Sequence, residues 1–253
     1  MNLTMDVRQA EGFKSQAQIA RVVSEEWAKG NLYCPACASD ELTRAPNNTK
    51  VYDFTCPCCV KRFQLKSSRR WDEHRIPDAG YNAMMEAIST NNNPNLFILH
   101  YGNNWTVRNL FLIPSFFLSA SAIQKRNPLA PTARRAGWIG CNILLSNIPS
   151  AGRIGVVVNG HMVEPAEVRS KYLKTRPLAT LGTKIRGWTL DVFRIVDELP
   201  QEFKLSDVYD HEARLVALHP RNRNIRPKIR QRLQALRDMG MIRFLGGARY
   251  SRT

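Results

Sequence analysis

Apolar residues recur along the chain at two spacings, one typical of amphipathic helices and the other of strands. Between residues 15 and 29 they lie three or four positions apart, which predicts a helix, and a second helix is expected over 81–88. The segments 95–101 and 107–113 are nearly continuous apolar runs joined by a Gly-Asn-Asn turn, so both are predicted to be strands. With a further strand over 153–160, the pattern predicts a mixed α/β fold with a central sheet.

The segment 183–253 follows a different pattern. It predicts three helices, the first capped by Thr189, the second capped by Ser206, and the third running over about 225–239. Residues 241–251 then alternate around a Gly-Gly pair, which is typical of a hairpin. Three helices followed by a hairpin indicate a winged helix, which is a variant of the helix-turn-helix.

On the third predicted helix the apolar and polar residues separate onto two faces. The residues expected in the core are Ile225, Ile229, Leu233 and Leu236. The residues expected to face outward are Lys228, Arg230, Gln231 and Gln234. Arg and Gln side chains can make bidentate contacts with the edges of guanine and adenine, and the helix before a wing is where such contacts occur. The alternative for this face is an ordinary solvated basic surface.

The net charge of the chain indicates which class of binding partner to expect. Its 253 residues include 37 Lys and Arg against 21 Asp and Glu, a formal charge of +16. The two expected domains, 1–182 and 183–253, are both basic, with 22 basic against 13 acidic residues in the first and 15 against 8 in the second. Nucleic acid is therefore the expected partner.

Composition and the N-terminal residues indicate where in the cell the protein is expected to be found. A hydrophobic content of 43% argues against disorder, and no apolar run is long enough to predict a membrane span. The first sixteen residues are polar and include acids, which is not typical of a secretory or transit peptide. A soluble, cytoplasmic protein is expected.

Four of the six cysteines have the spacing of a structural zinc site. Cys34 and Cys37 are separated by two residues, and so are Cys56 and Cys59. Cys58 leaves the second pair ambiguous, although the usual spacing favours Cys59. Four thiolates fill a tetrahedral shell, so the zinc is expected to be structural rather than catalytic. Disulfides are the alternative, which a reducing cytosol disfavours, and Cys141 is expected to be a small core residue.

An acid, an amide and a lysine lie around the second cysteine pair. Asp53 is expected on a strand over 50–55, and Gln64 and Lys66 share one face of the strand that follows. An acid followed by a polar-x-Lys pair matches the D…(D/E)xK pattern of metal-dependent nucleases at all but one position. Carboxylates there hold Mg²⁺, which activates a water molecule, while the lysine stabilises developing negative charge.

Several longer segments carry a resemblance to one family. They are CPAC (34–37), the Asp53-to-Lys66 spacing, NNNPNLFIL (91–99), PLAPTARRAGWIGCNI (128–143) and IRPKIRQRLQALRD (225–238). These segments are similar to those of the DpnI-like restriction endonucleases, which cut GATC only when its adenine is N6-methylated, and the resemblance spans essentially the whole chain. It implies a PD-(D/E)XK nuclease domain with an embedded zinc site and a C-terminal winged helix, both of which read the methylated sequence.

The resemblance also implies roles for individual residues. Asp53 becomes a magnesium ligand and Lys66 the catalytic lysine. Gln64 stands where the nuclease fold usually has glutamate; its amide oxygen can coordinate Mg²⁺ but carries no charge. Trp138 resembles a tryptophan that wedges into the DNA stack, with Arg134 and Arg135 contacting phosphates, and a core tryptophan beside a basic surface is the alternative.

Three functions follow as hypotheses. The first is an Mg²⁺-dependent type II endonuclease, acting as a monomer on double-stranded DNA with adenine-methylated GATC sites in a prokaryotic cytoplasm. The second is a protein that binds methylated DNA and cuts it weakly or not at all, because Gln64 replaces glutamate. The third is a zinc-containing transcription regulator, which leaves Asp53 and Lys66 without a role.

Overall fold

The computed structural model describes residues 1–46, 49 and 51–253. The helices are α1 (Gln16–Asn31), α2 (Tyr81–Ser89), α3 (Pro165–Thr175), α4 (Thr183–Glu198), α5 (Leu205–Tyr209), α6 (Glu212–Leu218) and α7 (Ile225–Asp238). The strands are β1 (Thr43–Arg44), β2 (Phe54–Thr55), β3 (Arg62–Ser68), β4 (Arg75–Gly80), β5 (Asn95–Tyr101), β6 (Val107–Ile113), β7 (Ile123–Lys125), β8 (Gly140–Leu144), β9 (Ile154–Val158), β10 (His161–Met162), β11 (Glu202–Lys204), β12 (Ile242–Gly246) and β13 (Arg249–Arg252).

The chain forms two compact units, each assembled from three segments. The first unit contains residues 1–72, 93–115 and 152–173. The second contains residues 73–92, 116–151 and 174–253. The chain therefore passes between the units five times, and each unit depends on contacts between residues far apart in sequence. The domain boundary expected after residue 182 stays a prediction.

The first unit is built on a seven-stranded sheet. The strand order is β1-β2-β3-β5-β6-β9-β10, in which β3 and β5 are parallel and the other neighbours antiparallel. The two central strands were predicted from their apolar runs, and the structure confirms both, over 95–101 and 107–113. Both faces of β5 are buried, which explains its almost continuous apolar run, whereas β6 has an exposed Arg108 and a half-buried Asn109 before its mostly buried second half.

Helix α1 packs on this sheet at the end of β3. Its buried face includes Val23 and Trp27, as the helical spacing predicts. Ser24 lies on the same buried face, and its hydroxyl shares a hydrogen bond of 2.9 Å with that of Ser67 on β3. This contact fixes the helix next to the strand that carries Gln64 and Lys66.

The second unit contains two small sheets and most of the helices. Strands β4, β8 and β7 form one antiparallel sheet, in the order β4-β8-β7. Strands β11, β13 and β12 form the other, in the order β11-β13-β12. In the second sheet β11 lies between α4 and α5, and β12 and β13 follow α7 and form the predicted C-terminal hairpin, so 183–253 has the elements of a winged helix.

Two predicted helix starts in the second unit are wrong. Helix α4 begins at Thr183 rather than after Thr189, because the Thr189 hydroxyl donates to the carbonyl of Ile185 inside the helix instead of capping a new one. The helix expected to be capped by Ser206 begins at Leu205, with Lys204 at its N-cap, and the segment to Leu218 is two helices, α5 and α6, separated at Asp210 and His211.

Several elements have no clear signal in the sequence. Helix α3 occupies a segment that reads only as a polar connector, since among its eleven residues Val168 and Tyr172 are the fully buried large side chains. The short strands β1, β4, β7 and β8 are likewise weakly patterned. Lys50, at the start of one expected strand, lies outside the described residues, and only its end forms β2. Within the described part of the chain, no helix combines the length and apolar character needed to cross a membrane.

Candidate functional site

Four cysteine side chains converge in the first unit, two from each of two turns. The Sγ atoms of Cys34, Cys37, Cys56 and Cys59 all lie within 4.8 Å of one another. The Sγ atoms of Cys34 and Cys59 are 3.5 Å apart, as are those of Cys37 and Cys56. Sulfur atoms about 2.3 Å from one tetrahedral zinc have comparable separations. The cluster can therefore hold a zinc ion, and its fourth cysteine is Cys59 rather than the exposed Cys58.

The backbone around the second turn already favours a thiolate. Burial raises the pKa of Cys56, but the backbone N–H groups of Cys59 and Cys58 donate to its sulfur and bring that pKa down to about 6. Burial raises the pKa of Cys34 above its usual value. Cys56 lies on the turn that joins β2 to β3.

Arg169 on α3 holds the first cysteine turn from outside. Its Nε donates to the carbonyl of Cys34 at 3.1 Å, and its Nη2 donates to the carbonyl of Ser39 at 3.0 Å. The same Nη2 lies 2.8 Å from a carboxylate oxygen of Asp40, and the guanidinium packs over the ring of Tyr33. Helix α3, which the sequence does not predict, therefore holds the first cysteine turn through hydrogen bonds from Arg169.

We expect Arg169→Ala to loosen this turn. The change removes two charge-assisted hydrogen bonds to carbonyl groups, so the free energy of unfolding should fall by about 1–3 kcal/mol. Denaturant unfolding of the full chain measures it, with Lys171→Ala as the matched control, because Lys171 is on the same helix but pairs with Glu167 on the surface. Equal stability of the two variants would contradict the assignment.

The acid and the lysine of the nuclease pattern are held close together, although Asp53 immediately precedes β2 instead of lying on the expected strand, while Lys66 is on β3. The backbone N–H of Asp53 donates to the carbonyl of Phe63 at 2.8 Å, and the N–H of Leu65 donates to Oδ2 of Asp53 at 2.7 Å. The Asp53 carboxylate is therefore held against β3 between Gln64 and Lys66. The two partners Phe54 and Phe63 are fully buried, and alternation along β3 puts Gln64 and Lys66 on the other face.

The charge environment of Asp53 is mixed. Burial raises the pKa of its carboxyl group above the usual value. The hydrogen bond from Leu65 and the positive charges of Lys66, Arg21 and Arg44 act in the opposite direction. The carboxylate therefore lies in a partly dehydrated position among three cations, where a divalent ion would relieve the cost of its burial.

Sequence reasoning missed three charged residues next to Asp53. A cavity of about 440 Å³ beside this aspartate is lined by Arg21, Glu25, Arg44, Ala45, Pro46, Thr49, Tyr52, Asp53 and Phe54. Arg21 and Glu25 lie on α1, far from Asp53 in the sequence, and Arg44 lies on β1, nine positions before it. In the sequence, Arg21 and Glu25 are recognisable only as polar positions of an amphipathic helix, and such positions are usually exposed to solvent.

The loop that carries Trp138 lies in the second unit, between β7 and β8. Arg134 and Arg135 are exposed, and the guanidinium of Arg135 lies 4.6 Å from the Trp138 ring centroid. Trp138 is half-buried rather than fully enclosed, and it rests on the backbone at Gly140. A Cβ atom on Gly140 would approach its ring carbons to 2.9 Å, so the position of the indole requires glycine there.

Helix α7 has the two faces that its pattern predicts. The four core residues, Ile225, Ile229, Leu233 and Leu236, are buried. Arg230, Gln231 and Gln234 are exposed and Lys228 is half-buried, with its ammonium 3.0 Å from the amide oxygen of Gln231. Arg232 is also buried, which the pattern does not predict.

The turn before α7 is fixed by a histidine that sequence reasoning also missed. The His219 ring stacks on Trp188 of α4 with a centroid distance of 3.6 Å, and its Nε2 lies 2.8 Å from Oδ2 of Asp191. Oδ1 of the buried Asp191 accepts from the hydroxyl of Ser121 at 2.5 Å. These contacts hold the end of α6 against α4. A lone histidine gives no such signal in a sequence.

These elements define a mixed α/β protein with a four-cysteine cluster and a C-terminal helix-turn-helix of the winged type. Comparison with known families gives the same class. The family model described as DpnI, Dam-replacing family, matches residues 1–181, and the Dam-replacing helix-turn-helix domain matches residues 184–252. The chain belongs to the Dam-replacing family. Family and helix-turn-helix together support a methyl-dependent restriction enzyme that binds DNA.

Proposed function

We propose that this protein is an Mg²⁺-dependent type II endonuclease that cleaves double-stranded DNA at GATC sites with N6-methylated adenine. The observation that carries the proposal is the position of Asp53. Its carboxylate accepts a hydrogen bond from the N–H of Leu65, and the positive charge of Lys66 acts to lower its pKa. An acid fixed directly before one strand and a lysine on the adjacent strand are what the D…(D/E)xK reaction centre needs. The family match supplies the methyl-directed specificity.

The donor set next to β3 fits a hard divalent cation. Mg²⁺ takes oxygen ligands and is usually bound by one or two carboxylates, and here Asp53 offers a carboxylate and Gln64 an amide oxygen. When bound, the ion would polarise the phosphate and activate a water molecule. Lys66, as a positive charge beside Asp53, is assigned to stabilise the negative charge that develops on the phosphate oxygens.

The zinc ion has a structural role in this proposal. Cys34, Cys37, Cys56 and Cys59 would fill its shell and leave no open position for a substrate or water. The second cysteine turn joins β2 to β3, so zinc would hold β2, which directly follows Asp53, against β3, which carries Lys66. Zinc binding would therefore affect catalysis, because it would fix the relative positions of Asp53 and Lys66.

DNA recognition is assigned to two surfaces. Trp138 with Arg134 and Arg135 would wedge into the base stack and contact phosphates, and its half-exposed position beside an arginine supports this. On α7 the outward residues Lys228, Arg230, Gln231 and Gln234 would read base edges in the major groove. Both surfaces belong to the second compact unit.

The proposal includes an architecture and a location. Residues 1–182 form the PD-(D/E)XK endonuclease domain and 183–253 the winged-helix domain, each of which engages the methylated sequence. The meeting of the two family matches between 181 and 184 supports this boundary. The protein acts as a monomer in a prokaryotic cytoplasm.

We expect Arg230→Ala to relax specificity at one base pair. If the exposed guanidinium reads a base edge, its loss should cost about 1–3 kcal/mol of binding to the correct site and less to a site altered at that base pair. Fluorescence anisotropy on a panel of single-substitution duplexes measures this. Arg237→Ala is the control, since Arg237 lies in the last turn of α7 and pairs with Asp238. A uniform loss across the panel would identify Arg230 as a phosphate contact.

A plasmid digest tests the proposed reaction. Plasmid DNA from adenine-methylating and non-methylating hosts is incubated with the protein, with Mg²⁺ and with EDTA. Cutting of the methylated plasmid alone, and only with Mg²⁺, is the expected result, and Lys66→Ala should abolish it. Equal digestion of both plasmids would remove the methyl-directed part of the proposal.

A second function is favoured by one observation, the uncharged Gln64 on β3. The protein would then bind adenine-methylated DNA without cutting it appreciably. This alternative predicts tight, methyl-dependent binding in a gel-shift experiment together with intact plasmid in the digest. Site-specific cleavage that disappears with Lys66→Ala would dispose of it.

A further inference from the structure

Two acidic residues line the cavity beside Asp53, but the nuclease pattern accounts for only one of them. Asp53 is one and Glu25, from α1, is the other. Their separation of 28 positions in the sequence explains why no motif includes both. Arg21 and Arg44 line the same cavity, so its lining combines two acids with two bases.

Glu25 is held close to the catalytic strand. The preceding residue, Ser24, is buried and hydrogen-bonded to Ser67, the residue that follows Lys66 on β3. The Glu25 side chain itself is only 16% exposed. It accepts a hydrogen bond from Nη2 of Arg44, and a second cation, Arg21, has its Nε at 3.8 Å. Helix α1 therefore delivers a mostly covered carboxylate to the neighbourhood of Asp53.

Without Glu25, the proposed magnesium site has only one negatively charged ligand. With Gln64 in place of glutamate, Asp53 alone contributes one negative charge, while Lys66, Arg21 and Arg44 act on it as cations. Mg²⁺ gives up water reluctantly and is usually held by one or two carboxylates. We propose that Glu25 is the second acidic ligand of this magnesium site and compensates for the charge missing at Gln64. The inference rests on the proposed endonuclease function and adds a residue to its metal site.

The neighbouring Glu26 provides a contrast within the same ion-pair cluster. Arg44 Nη1 lies 2.6 Å from Glu26, so Arg44 joins both glutamates. Glu26 is not part of the cavity wall, whereas Glu25 is. If the acids served only to tie β1 to α1 through Arg44, the two would be interchangeable. If Glu25 holds the metal, only Glu25 affects metal affinity.

The test compares Mg²⁺ binding of four full-length variants by isothermal titration calorimetry, with zinc retained and DNA absent. Glu25→Gln is expected to weaken binding by about 10-fold or more, the scale on which metal sites respond to lost partners. Glu26→Gln should remain within about 2-fold of the parent protein. Gln64→Glu should tighten binding, and Gln64→Glu combined with Glu25→Gln should recover most of the loss.

Arg44→Met provides a second measurement of Mg²⁺ affinity in which no acidic residue is removed. In the proposal, Arg44 competes with the ion for Glu25, so its loss should tighten Mg²⁺ binding about 3-fold or more. A purely structural ion pair predicts no gain. This variant decides the question if Glu25→Gln fails to fold, which circular dichroism reports.

The outcomes separate this inference from the proposed function. Parent-like Mg²⁺ affinity in Glu25→Gln, an equal loss in Glu26→Gln, or no measurable binding by the parent protein overturns the inference. The plasmid digest addresses cleavage itself: a parent protein that binds Mg²⁺ through Glu25 but leaves methylated plasmid intact contradicts the endonuclease proposal alone. Recovery of affinity by Gln64→Glu supports the inference in either case.

Discussion

Replacing Asp53 with asparagine is expected to reduce cleavage of adenine-methylated DNA at least about 100-fold without destabilising the protein. The asparagine oxygen can still accept the N–H of Leu65, so the local geometry is retained. The negative charge that would hold Mg²⁺ is lost. Single-turnover cleavage of a duplex with one methylated GATC site measures the effect.

Stability should respond in the opposite direction from activity. Burial raises the pKa of Asp53, which means that the ionised carboxylate is less favourable in the folded chain than in the unfolded one. Above the usual carboxyl pKa this lowers stability, and asparagine removes the cost. The melting temperature of Asp53→Asn at neutral pH should therefore equal or exceed that of the parent protein, a trade-off seen at other active sites.

The control for this prediction is Glu41→Gln, which removes one negative charge from an exposed position in the same unit. It should leave both cleavage and melting temperature unchanged. Parent-like cleavage by Asp53→Asn would refute the role of this carboxylate. Lost DNA binding in that variant, measured by anisotropy without metal, would show instead that Asp53 acts before the chemical step.

Replacing Cys34 with serine is expected to remove zinc and to abolish cooperative unfolding of the first unit. Zinc binding to four-ligand sites contributes about 10–16 kcal/mol in small peptides, which exceeds the whole stability of about 5–15 kcal/mol of a typical domain. Cys34 is fully buried and its sulfur faces that of Cys59. The segment that bears Asp53 leads directly into the second cysteine turn and should lose its structure with the metal.

Cys58→Ser is the matched control, because Cys58 lies next to the cluster but is exposed and outside it. Zinc content by atomic absorption should fall from about one per chain to none in Cys34→Ser and stay unchanged in Cys58→Ser. Thermal unfolding followed by circular dichroism gives the second measurement. Full zinc content in Cys34→Ser would show that the cluster does not bind the metal as assigned.

The parts of the fold that the sequence predicts are those in which local pattern and burial agree. Strand β5 is apolar on both faces because both faces are covered, β6 has a mostly buried apolar second half, and helix α7 keeps its core stripe. The cysteine cluster is predictable because ligands two residues apart on one turn can reach one ion without help from the rest of the chain.

The parts that it does not predict depend on contacts distant in sequence. Helix α3 buries few large side chains and matters through Arg169, whose partners are about 130 positions away. Thr189 has a residue type typical of helix caps, yet its hydroxyl donates back to Ile185 within α4. Glu25 reads as one polar position of an amphipathic helix, and only the fold brings it to the cavity beside Asp53.

The order in which the chain threads the first unit has a consequence during synthesis. Strands β9 and β10, at one edge of its seven-stranded sheet, come from the last of its three segments. The ribosome adds about 5–20 residues per second, so the sheet stays incomplete for several seconds after its first strands emerge. The four cysteines, by contrast, all lie between residues 34 and 59. Zinc can therefore close its turns on the nascent chain long before the sheet is finished, and zinc supply at that moment should govern the yield of folded protein.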